Sequence, residues 1–341
     1  MRVAAITGGR NVPSARFRIR QLIPSLRQHG IDLHESVPLL SRYPPERKIL
    51  RPLWGLSAVA ERLFYIPQTY RFELTLIQRE MISTLATLEG LTKRPRVFDV
   101  DDSIHLYRNG RSAARLARWS EAVICGNEFL AERYREWNRN VVVIPTAVDT
   151  DRYRPASPPG DQEEKAVIGW IGSSSNFPYL HLIEEPLEKT LKKLPHAMLR
   201  VVADKPPGFQ GLLRQRMEFI PWSPESEIAG IQGMSVGIMP LFNDDWGRGK
   251  CSYKMLQYMA CGIPVVVSPV GMNATVLGQG EVGFGANTAL EWHEGLMQIL
   301  DSHGLRRALG ENGRRLVGNL YSLPVISGQI AACLRKVHGR G

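Results

Sequence analysis

The chain has few cysteines, no long apolar run and none of the common nucleic-acid-binding motifs. Its four cysteines, Cys125, Cys251, Cys261 and Cys333, show no paired spacing, which argues against a disulfide framework and a zinc motif. No stretch approaches the roughly 20 apolar residues of a transmembrane helix. The N-terminus also lacks the apolar segment of a signal peptide. We therefore expect a cytoplasmic protein.

Acidic residues are outnumbered, most strongly in the first fifth of the chain. The sequence has 43 Lys and Arg against 33 Asp and Glu, a net charge of +10. A basic surface favours nucleic acid, anionic lipid or phosphorylated small molecules as partners. Because zinc-finger spacing, an RNA-binding sheet signature and basic-zipper heptads are all missing, we expect no nucleic-acid partner.

Two segments of the chain look alike. Residues 3–9 and 166–174 are apolar strands that open into a Gly/Ser loop, and helical patterns follow at residues 17–28 and 179–194. Further strand candidates are spread over both halves, at residues 75–78, 97–100, 122–125, 141–144, 199–203, 236–239 and 264–268, and the chain leaves another probable strand at residues 219–222. Strands that alternate with helices predict an α/β protein with two doubly wound parallel sheets.

The length of 341 residues fits two domains better than one core. A Pro-rich polar stretch at residues 153–161 is typical of a linker. We predict a first domain at residues 1–155, a second at 161–320, and a C-terminal helix at 321–341 that packs back on the first domain. Because ligands of parallel α/β folds bind at the carboxyl ends of the strands, two facing domains predict a cleft between them.

Residues 249–268 predict a loop, a helix from about Cys251 to Cys261, a Gly-Ile-Pro turn and a buried strand. Lys250, Lys254 and Gln257 have the spacing i, i+4, i+7, which predicts one helical face near the N-terminal end. Cations there oppose the helix dipole, and a bound diphosphate would resolve that conflict. The alternative is that both lysines are solvated surface residues.

These features resemble the retaining family-four glycosyltransferases of the GT-B fold. The resemblance rests on the Gly8-Gly9 loop, on residues 258–266 with Gly271 beyond them, and on residues 144–153, which are similar to the segment closing that family's first domain. It implies two Rossmann-like domains, the first binding the acceptor and the second a nucleotide-diphospho-sugar donor. The implied reaction moves a sugar to a glycan, lipid-linked or small-molecule acceptor, with retention and without a metal or other cofactor.

The chain departs from the family pattern at the donor side. Family members carry two glutamates eight residues apart, whereas Gly249 and Gln257 stand at these positions here. The family's Arg…Lys pair after the first strand of the second domain is replaced by Ser173-Ser174-Ser175-Asn176. The chain therefore resembles a divergent branch. A catalytically silent nucleotide-sugar-binding protein and a GT-B sugar-nucleotide epimerase remain alternatives.

The resemblance implies the following donor contacts. Candidates for binding the diphosphate are Gly172, Ser173, Ser174, Arg248, Lys250 and Lys254. Gln257 is the candidate for binding the ribose, and Ile220 and Trp222 are the candidates for binding the base. The candidates for contacting the donor sugar are Asp244, Asp245, Gly271, Met272 and Asn273. Serines in such a loop are also typical of a helix cap, and Trp222 could equally be a core residue.

Asp99, Asp101 and Asp102 cluster at the end of a predicted strand, where buried carboxylates need partners. One interpretation is a metal site with oxygen ligands, like the Asp-x-Asp motif of other glycosyltransferases. That motif belongs to a different fold, so the two-domain pattern argues against this interpretation. A second makes Asp101 or Asp102 the catalytic group that orients the acceptor hydroxyl or stabilises positive charge at the anomeric carbon. A third is that they cap the next helix or pair with basic residues of the first half.

Basic residues suggest an acceptor side in the first domain. Gly9, Arg10 and Arg16 form a loop that would bind a phosphorylated acceptor, and Arg79 is a further candidate contact. The alternatives are a basic surface loop and, for Arg79, an ordinary ion pair with Glu80.

Residues 47–72 mix arginines with Trp, Phe and Leu. This composition favours a peripheral contact with an anionic membrane, at its inner face. A core-facing helix with a solvated basic side is the alternative.

Overall fold

The computed structural model describes residues 1–10, 12–156 and 166–339. Two six-stranded sheets organise this part of the chain, and all their strand pairs are parallel. The strands are β1 Arg2–Ile6, β2 Asp32–Ser36, β3 Leu74–Gln78, β4 Arg96–Val100, β5 Ala122–Cys125, β6 Val141–Val143, β7 Val167–Ile171, β8 Met198–Ala203, β9 Met217–Pro221, β10 Val236–Met239, β11 Val265–Val267 and β12 Gly283–Gly285.

The helices connect successive strands. They are α1 Pro13–Arg18, α2 Ile23–Gln28, α3 Arg51–Thr69, α4 Arg111–Trp119, α5 Glu128–Arg135, α6 Phe177–His181, α7 Glu184–Lys193, α8 Gly211–Gln215, α9 Pro224–Gln232, α10 Asp245–Arg248, α11 Tyr253–Ala260, α12 Met272–Leu277, α13 Ala289–Asp301, α14 His303–Leu320 and α15 Leu323–His338. No helix in the described ranges combines the length and the apolar character needed to cross a membrane.

The chain divides into two compact units. The first comprises Met1–Ala147, Gly249–Cys251 and Leu323–Gly341, and the second comprises Val148–Arg248 and Ser252–Ser322. The division at Ala147 precedes the predicted linker, of which residues 157–161 lie outside the described residues.

The first unit has the strand order β2-β1-β3-β4-β5-β6. Its core joins apolar side chains of the sheet to the last helix of the chain, because Ile326 and Ile330 of α15 are buried in one cluster with Val3. The hydroxyls of Ser25 on α2 and Ser327 on α15 are 2.6 Å apart and share a buried hydrogen bond. The C-terminal helix is therefore part of the first unit.

The second unit has the strand order β12-β11-β10-β7-β8-β9, which is the Rossmann order when its strands are numbered from β7. Its core contains Trp170, 1% exposed, packed with helix residues such as Leu187 and Leu296. In such sheets the order reverses at a switch point, where ligands bind outside the carboxyl ends of the strands. The reversal lies between β7 and β10 here, and between β1 and β3 in the first unit.

The sequence patterns identified ten of the strands and missed two, β2 and β12. Both are edge strands of their sheets. β2 has the polar sequence DLHES and β12 is the three-residue GFG, so neither shows a buried apolar run. An edge strand has one paired neighbour, and this weaker burial removes the periodic signal on which the prediction depends.

Gly237 of β10 is placed against an aromatic ring and gives a stability prediction. A Cβ at this position would lie 2.4 Å from Cδ2 of Tyr258 on α11. The Tyr258 hydroxyl accepts a hydrogen bond from the Ile171 N–H at 3.0 Å, so the ring is held in place. We expect Gly237→Ala to lower the free energy of unfolding by about 1–3 kcal/mol, measured by chemical denaturation.

The matched control is Gly318→Ala in helix α14 of the same unit. Nothing lies within 4 Å of a Cβ built at Gly318. Alanine is preferred over glycine in helices, so this variant is expected to be neutral or to gain up to about 1 kcal/mol. Equal stability of the two variants would contradict the close packing of Tyr258 on Gly237.

Candidate functional site

Lys254 lies against the glycine that follows β7, at the switch point of the second unit. Its Nζ is 4.3 Å from the centroid of the Trp170 ring, a cation–π contact. A Cβ at Gly172 would lie 2.5 Å from this nitrogen and 2.7 Å from the Trp170 ring. A side chain at position 172 would therefore displace the ammonium group. The structure brings together two of the predicted phosphate contacts, Gly172 and Lys254.

The serine loop after Gly172 already binds one anionic group. Ser174 donates its N–H to Asp204 Oδ1 at 2.6 Å and its hydroxyl to Asp204 Oδ2 at 2.7 Å. These two bonds lower the pKa of Asp204 below its ordinary value. A phosphate at Ser174 must therefore displace Asp204. The sequence interpretation missed this residue, although an acid directly after a predicted strand was the available signal.

Ser173 is bonded within the same loop. Its hydroxyl shares a 2.8 Å hydrogen bond with Ser175 and accepts another, also 2.8 Å, from the Asn176 amide. Ser173 occupies the N-cap position of a short 3-10 helix at Ser174–Asn176, but its hydroxyl makes no capping hydrogen bond with a backbone N–H of that helix. The helix-cap alternative is therefore wrong for this side chain.

Lys250 does not lie on the predicted helical face. Helix α11 begins at Tyr253, and Ser252 before it has φ of 52°, in the left-handed region. The Ser252 hydroxyl donates to Asn273 Oδ1 at 2.6 Å, which helps to hold this turn. Lys250 belongs to the first unit, where its Nζ lies 3.5 Å from Asp102 Oδ1. Only Lys254 and Gln257 share the helix, and phosphate binding by Lys250 stays a prediction.

Gln257 is part of a buried polar group. The residue is 3% exposed, and its Nε2 donates to Glu227 Oε1 at 2.5 Å. The Tyr153 hydroxyl donates to the same oxygen at 2.7 Å. Helix α9 thus supplies a carboxylate beside the amide of α11. No sequence signal connected positions 227 and 257, because neither local spacing nor periodicity links two separate helices.

The end of β9 exposes the residues predicted to contact the base. Ile220 is half-buried, whereas Trp222 is 44% exposed and donates its backbone N–H to Ala203 O at 2.8 Å. The core alternative for Trp222 is therefore wrong. Its indole lies at the surface beyond the carboxyl ends of β8 and β9.

The loop after β10 holds three of the predicted donor residues on its surface. Asp244 Oδ1 accepts the Gly247 N–H at 2.6 Å. Arg248 donates from Nε to Asn243 Oδ1 at 2.9 Å, and its Nη1 is 3.7 Å from Asp245 Oδ1. Asp244, Asp245 and Arg248 are all exposed. They therefore lie beside the second strand of the switch point.

Gly271, Met272 and Asn273 follow β11 and are less accessible. Gly271 has φ of +53°, and a Cβ there would lie 2.4 Å from the Arg248 carbonyl oxygen, so this turn packs on the Arg248 backbone. Met272 is 4% and Asn273 0% exposed. The Asn273 amide also donates to Ser268 O at 3.0 Å. Both side chains lie in the interior, so the predicted contact with a sugar could be made only by the backbone of these residues.

The acidic cluster of the first unit is neutralised by arginines and a lysine. Arg79 Nε donates to Asp101 Oδ1 at 2.7 Å, and its Nη2 is 3.0 Å from Asp102 Oδ2. Burial acts to raise the pKa of Asp101, but the charges of Arg79 and Arg18 outweigh it and hold that pKa below its ordinary value. Buried Asp99 forms a two-pronged ion pair with Arg18, at 2.5 and 3.1 Å. The third interpretation, pairing with basic residues, is confirmed.

The alternative given for Arg79 is wrong. Arg79 does not pair with Glu80, because Glu80 forms an ion pair with Arg42 at 2.5 Å, both side chains being 1% exposed. Among the residues that the structure describes, no group of three or more His, Cys, Asp or Glu could hold a metal ion. Arg79 itself has φ of 58°, a conformation that is strained for a non-glycine residue and is held here by two carboxylates.

The predicted acceptor-side residues are only partly brought together. Gly9, with φ of +133°, follows β1, and Arg79 follows β3, the neighbouring strand across the switch point. Arg10 is exposed, and its carbonyl accepts a hydrogen bond from Arg20. The guanidinium of Arg16 lies 4.7 Å from the Phe17 ring centroid. Gly9 and Arg79 thus share one edge of the sheet.

The Gln257–Glu227 contact predicts a pH-dependent stability change. Gln257→Glu places two buried carboxyl groups within hydrogen-bond distance, so one pKa must rise in the folded state. The folded protein then keeps its stability below the ordinary glutamate pKa and loses it as the pH rises through the raised value. The free energy of unfolding is expected to fall by about 1.4 kcal/mol for each unit by which the folded-state pKa is raised. Unfolding free energies between about pH 4 and pH 8 measure it.

The control for this prediction is the double variant Gln257→Glu with Glu227→Gln. It restores one amide and one carboxyl group and should regain the pH dependence of the unchanged chain. If Gln257→Glu follows the unchanged chain at every pH, the two side chains are not in contact.

A family model and a curated protein both match part of the chain. Residues 165–302 match the family model described as Glycosyl transferases group 1. A D-inositol 3-phosphate glycosyltransferase of Corynebacterium aurimucosum is 23% identical over 207 residues, which cover 53% of this chain and 48% of that protein. The match therefore spans about half the length of this relative.

Solved structures resemble the chain over its whole length. Sucrose-phosphate synthase of Thermosynechococcus elongatus has a TM-score of 0.75 at 16% identity, covering 100% of both chains. HepE of Anabaena, solved with UDP and glucose, has a TM-score of 0.70 at 16% identity, covering 98% of this chain and 99% of its own. Both likenesses concern the fold. Residues 165–302 are therefore similar to the group 1 glycosyltransferases, and the chain, with its two parallel α/β units, has the GT-B fold.

Proposed function

We propose that this protein transfers a sugar from a nucleotide-diphospho-sugar to an acceptor, with retention of the anomeric configuration. The observation that supports it most is the ammonium of Lys254 beside Gly172, because this places a cation at the switch point of the Rossmann-ordered sheet. A diphosphate needs such a cation at the carboxyl ends of the strands. HepE, which has a similar fold, was solved with UDP.

The donor lies along the carboxyl edge of the second unit in this proposal. Lys254, Arg248 and the loop at Gly172, Ser173 and Ser174 bind its diphosphate, with Lys250 as a further cation. Gln257 bonds the ribose, with its amide orientation set by Glu227. Ile220 and Trp222 contact the base. Asp244, Asp245 and the turn at Gly271 adjoin the sugar.

The acceptor binds at the first unit in this proposal. Gly9, Arg10, Arg16 and Arg79 contact it, and a phosphorylated acceptor suits their charge, as does the D-inositol 3-phosphate in the name of the sequence relative. Asp101 and Asp102 orient the acceptor hydroxyl. Catalysis rests on positioning the acceptor and stabilising the departing diphosphate, without an enzymic nucleophile. No metal or other cofactor is required, and the reaction takes place in the cytoplasm.

The direct test is an assay of the full chain with a panel of nucleotide sugars, starting with UDP-glucose, and candidate sugar, lipid-linked and phosphorylated polyol acceptors. Acceptor-dependent release of nucleoside diphosphate and a product with the donor's anomeric configuration are expected, with unchanged rate in EDTA. Donor binding without turnover across the panel would favour a silent binding protein. Interconversion of free sugar nucleotides without acceptor, and without net release of nucleoside diphosphate, would favour an epimerase.

Lys254→Ala tests the donor site. Contacts to charged groups contribute about 1.5–3 kcal/mol, so kcat/KM for the donor should fall roughly 10- to 150-fold. Lys254→Met, which keeps most of the apolar stem over Trp170, should show the same kinetic loss with less change in stability. Lys192→Ala, a lysine with a 68% exposed side chain on α7, is the control and should leave donor kinetics unchanged. Unchanged donor kinetics in both Lys254 variants would remove this residue from the site.

Asp102→Asn tests the acceptor role of the acidic cluster. The side chain of Asp102 is 16% exposed, so it is accessible at the sheet edge. If it orients the acceptor hydroxyl, kcat should fall about 100-fold while the donor KM stays constant. Glu128→Gln, which removes an exposed ion pair with Arg135 in the same unit, is the control. An equal effect of the two substitutions on kcat would show that the Asp102 carboxylate has no role in the reaction.

A further inference from the structure

Helix α3 presents an apolar face to solvent. Leu53, Leu56, Leu63 and Phe64 are 67%, 73%, 49% and 75% exposed. At 100° per residue these four side chains fall within about 100° of the helix circumference. They form one stripe along a helix of 19 residues, which is about 28 Å long. We call these four residues the outer stripe.

The opposite face of α3 is fixed to the first unit by a buried arginine. Ala58, Arg62, Ile66 and Thr69 are the buried residues of this helix. Arg62 is 2% exposed and donates to Leu40 O at 2.9 Å and to Met81 O at 3.3 Å. Burial lowers the pKa of Arg62. The usual pattern is reversed, since the cation points inward and the leucines point outward. The alternative of a core-facing helix is confirmed in that Ala58 and Ile66 are buried, but Arg62 is not part of a solvated basic side.

The charge around the outer stripe is mainly positive. Arg47, Lys48 and Arg51 are exposed at its N-terminal end, against one acid, Glu46. The only acid within α3 is Glu61. Its carboxylate accepts hydrogen bonds from the backbone N–H groups of Leu39 and Leu40 and from Arg62.

The loop bonded to Glu61 adds to the apolar surface. Leu39 is 94% exposed although its backbone is held in place. Ile49, just before α3, is 86% exposed. Large apolar side chains on an ordered convex surface indicate an interaction site rather than isolated exposed residues.

We propose that the outer stripe of α3, with Arg47, Lys48 and Arg51, docks the first unit on a membrane containing anionic lipid. The leucines and Phe64 would enter the interfacial layer, and the three cations would contact lipid phosphates. An anionic membrane fits because the exposed cations adjoin the exposed apolar stripe, which suits lipid phosphates next to an apolar layer. The inference goes beyond sugar transfer and does not depend on it, because docking is measured without donor or acceptor.

The test is co-sedimentation of the full chain with vesicles of phosphatidylcholine containing about 30% phosphatidylglycerol, compared with pure phosphatidylcholine. The unchanged chain should bind the anionic vesicles. Leu56→Glu with Phe64→Glu should lower the partition coefficient about tenfold or more, since two apolar anchors are lost. Arg47→Ala with Lys48→Ala should lower it about fivefold per cation, on the anionic vesicles and at low salt.

The matched control is Leu290→Glu, which places the same charge at a 55% exposed leucine of α13 in the second unit. It should bind vesicles like the unchanged chain, and the melting temperatures of all variants should agree, because only exposed positions are changed. The proposal is overturned if the unchanged chain does not bind anionic vesicles or if the Leu56/Phe64 variant binds them equally well. It is also overturned if light scattering shows a dimer that this variant dissociates, since the stripe then binds a second copy.

Discussion

All strand pairs of both sheets are parallel, and this constraint determines where the chemistry of the molecule lies. Parallel strands place their carboxyl ends along one edge of each sheet. In the second unit that edge collects Gly172 after β7, Asp204 after β8 and Trp222 after β9. In the first unit it collects Gly9 and Arg79. Residues from distant parts of the chain therefore gather along the carboxyl edge of each sheet.

Charged side chains at these edges are buried or partly buried, and their contacts differ between the units. Asp99 and Asp101 of the first unit are paired with Arg18 and Arg79, because an unpaired buried carboxylate would be strongly unfavourable. The second unit instead places Lys254 over the face of Trp170. Ion pairing therefore gives the acids of the first unit a structural role.

The strongest sequence signals were those with a local physical cause. The apolar runs that became β5, β7 and β10 are buried strands, so their side chains had to be apolar throughout. The edge strands β2 and β12 left no such run and were missed. For the site, the change from an apolar strand to a Gly/Ser loop located Gly172 and Ser174. It did not reveal Asp204 as the partner of Ser174, because a hydrogen bond between the loops after two neighbouring strands produces no periodic pattern in the sequence.

The sequence by itself determined the α/β class, most of the strand positions and the family resemblance. Hydrophobic periodicity and the positions of glycine and proline depend on interactions within a few residues, so they can be read from the sequence. Only the tertiary structure decided the partners. It separated Lys250 from the helix of Lys254, joined Gln257 to Glu227, and turned Arg62 inward so that Leu56 and Phe64 face solvent. Each of these outcomes depends on which elements pack together. That is settled by the free energy of the whole folded chain, which spacing along the sequence does not encode.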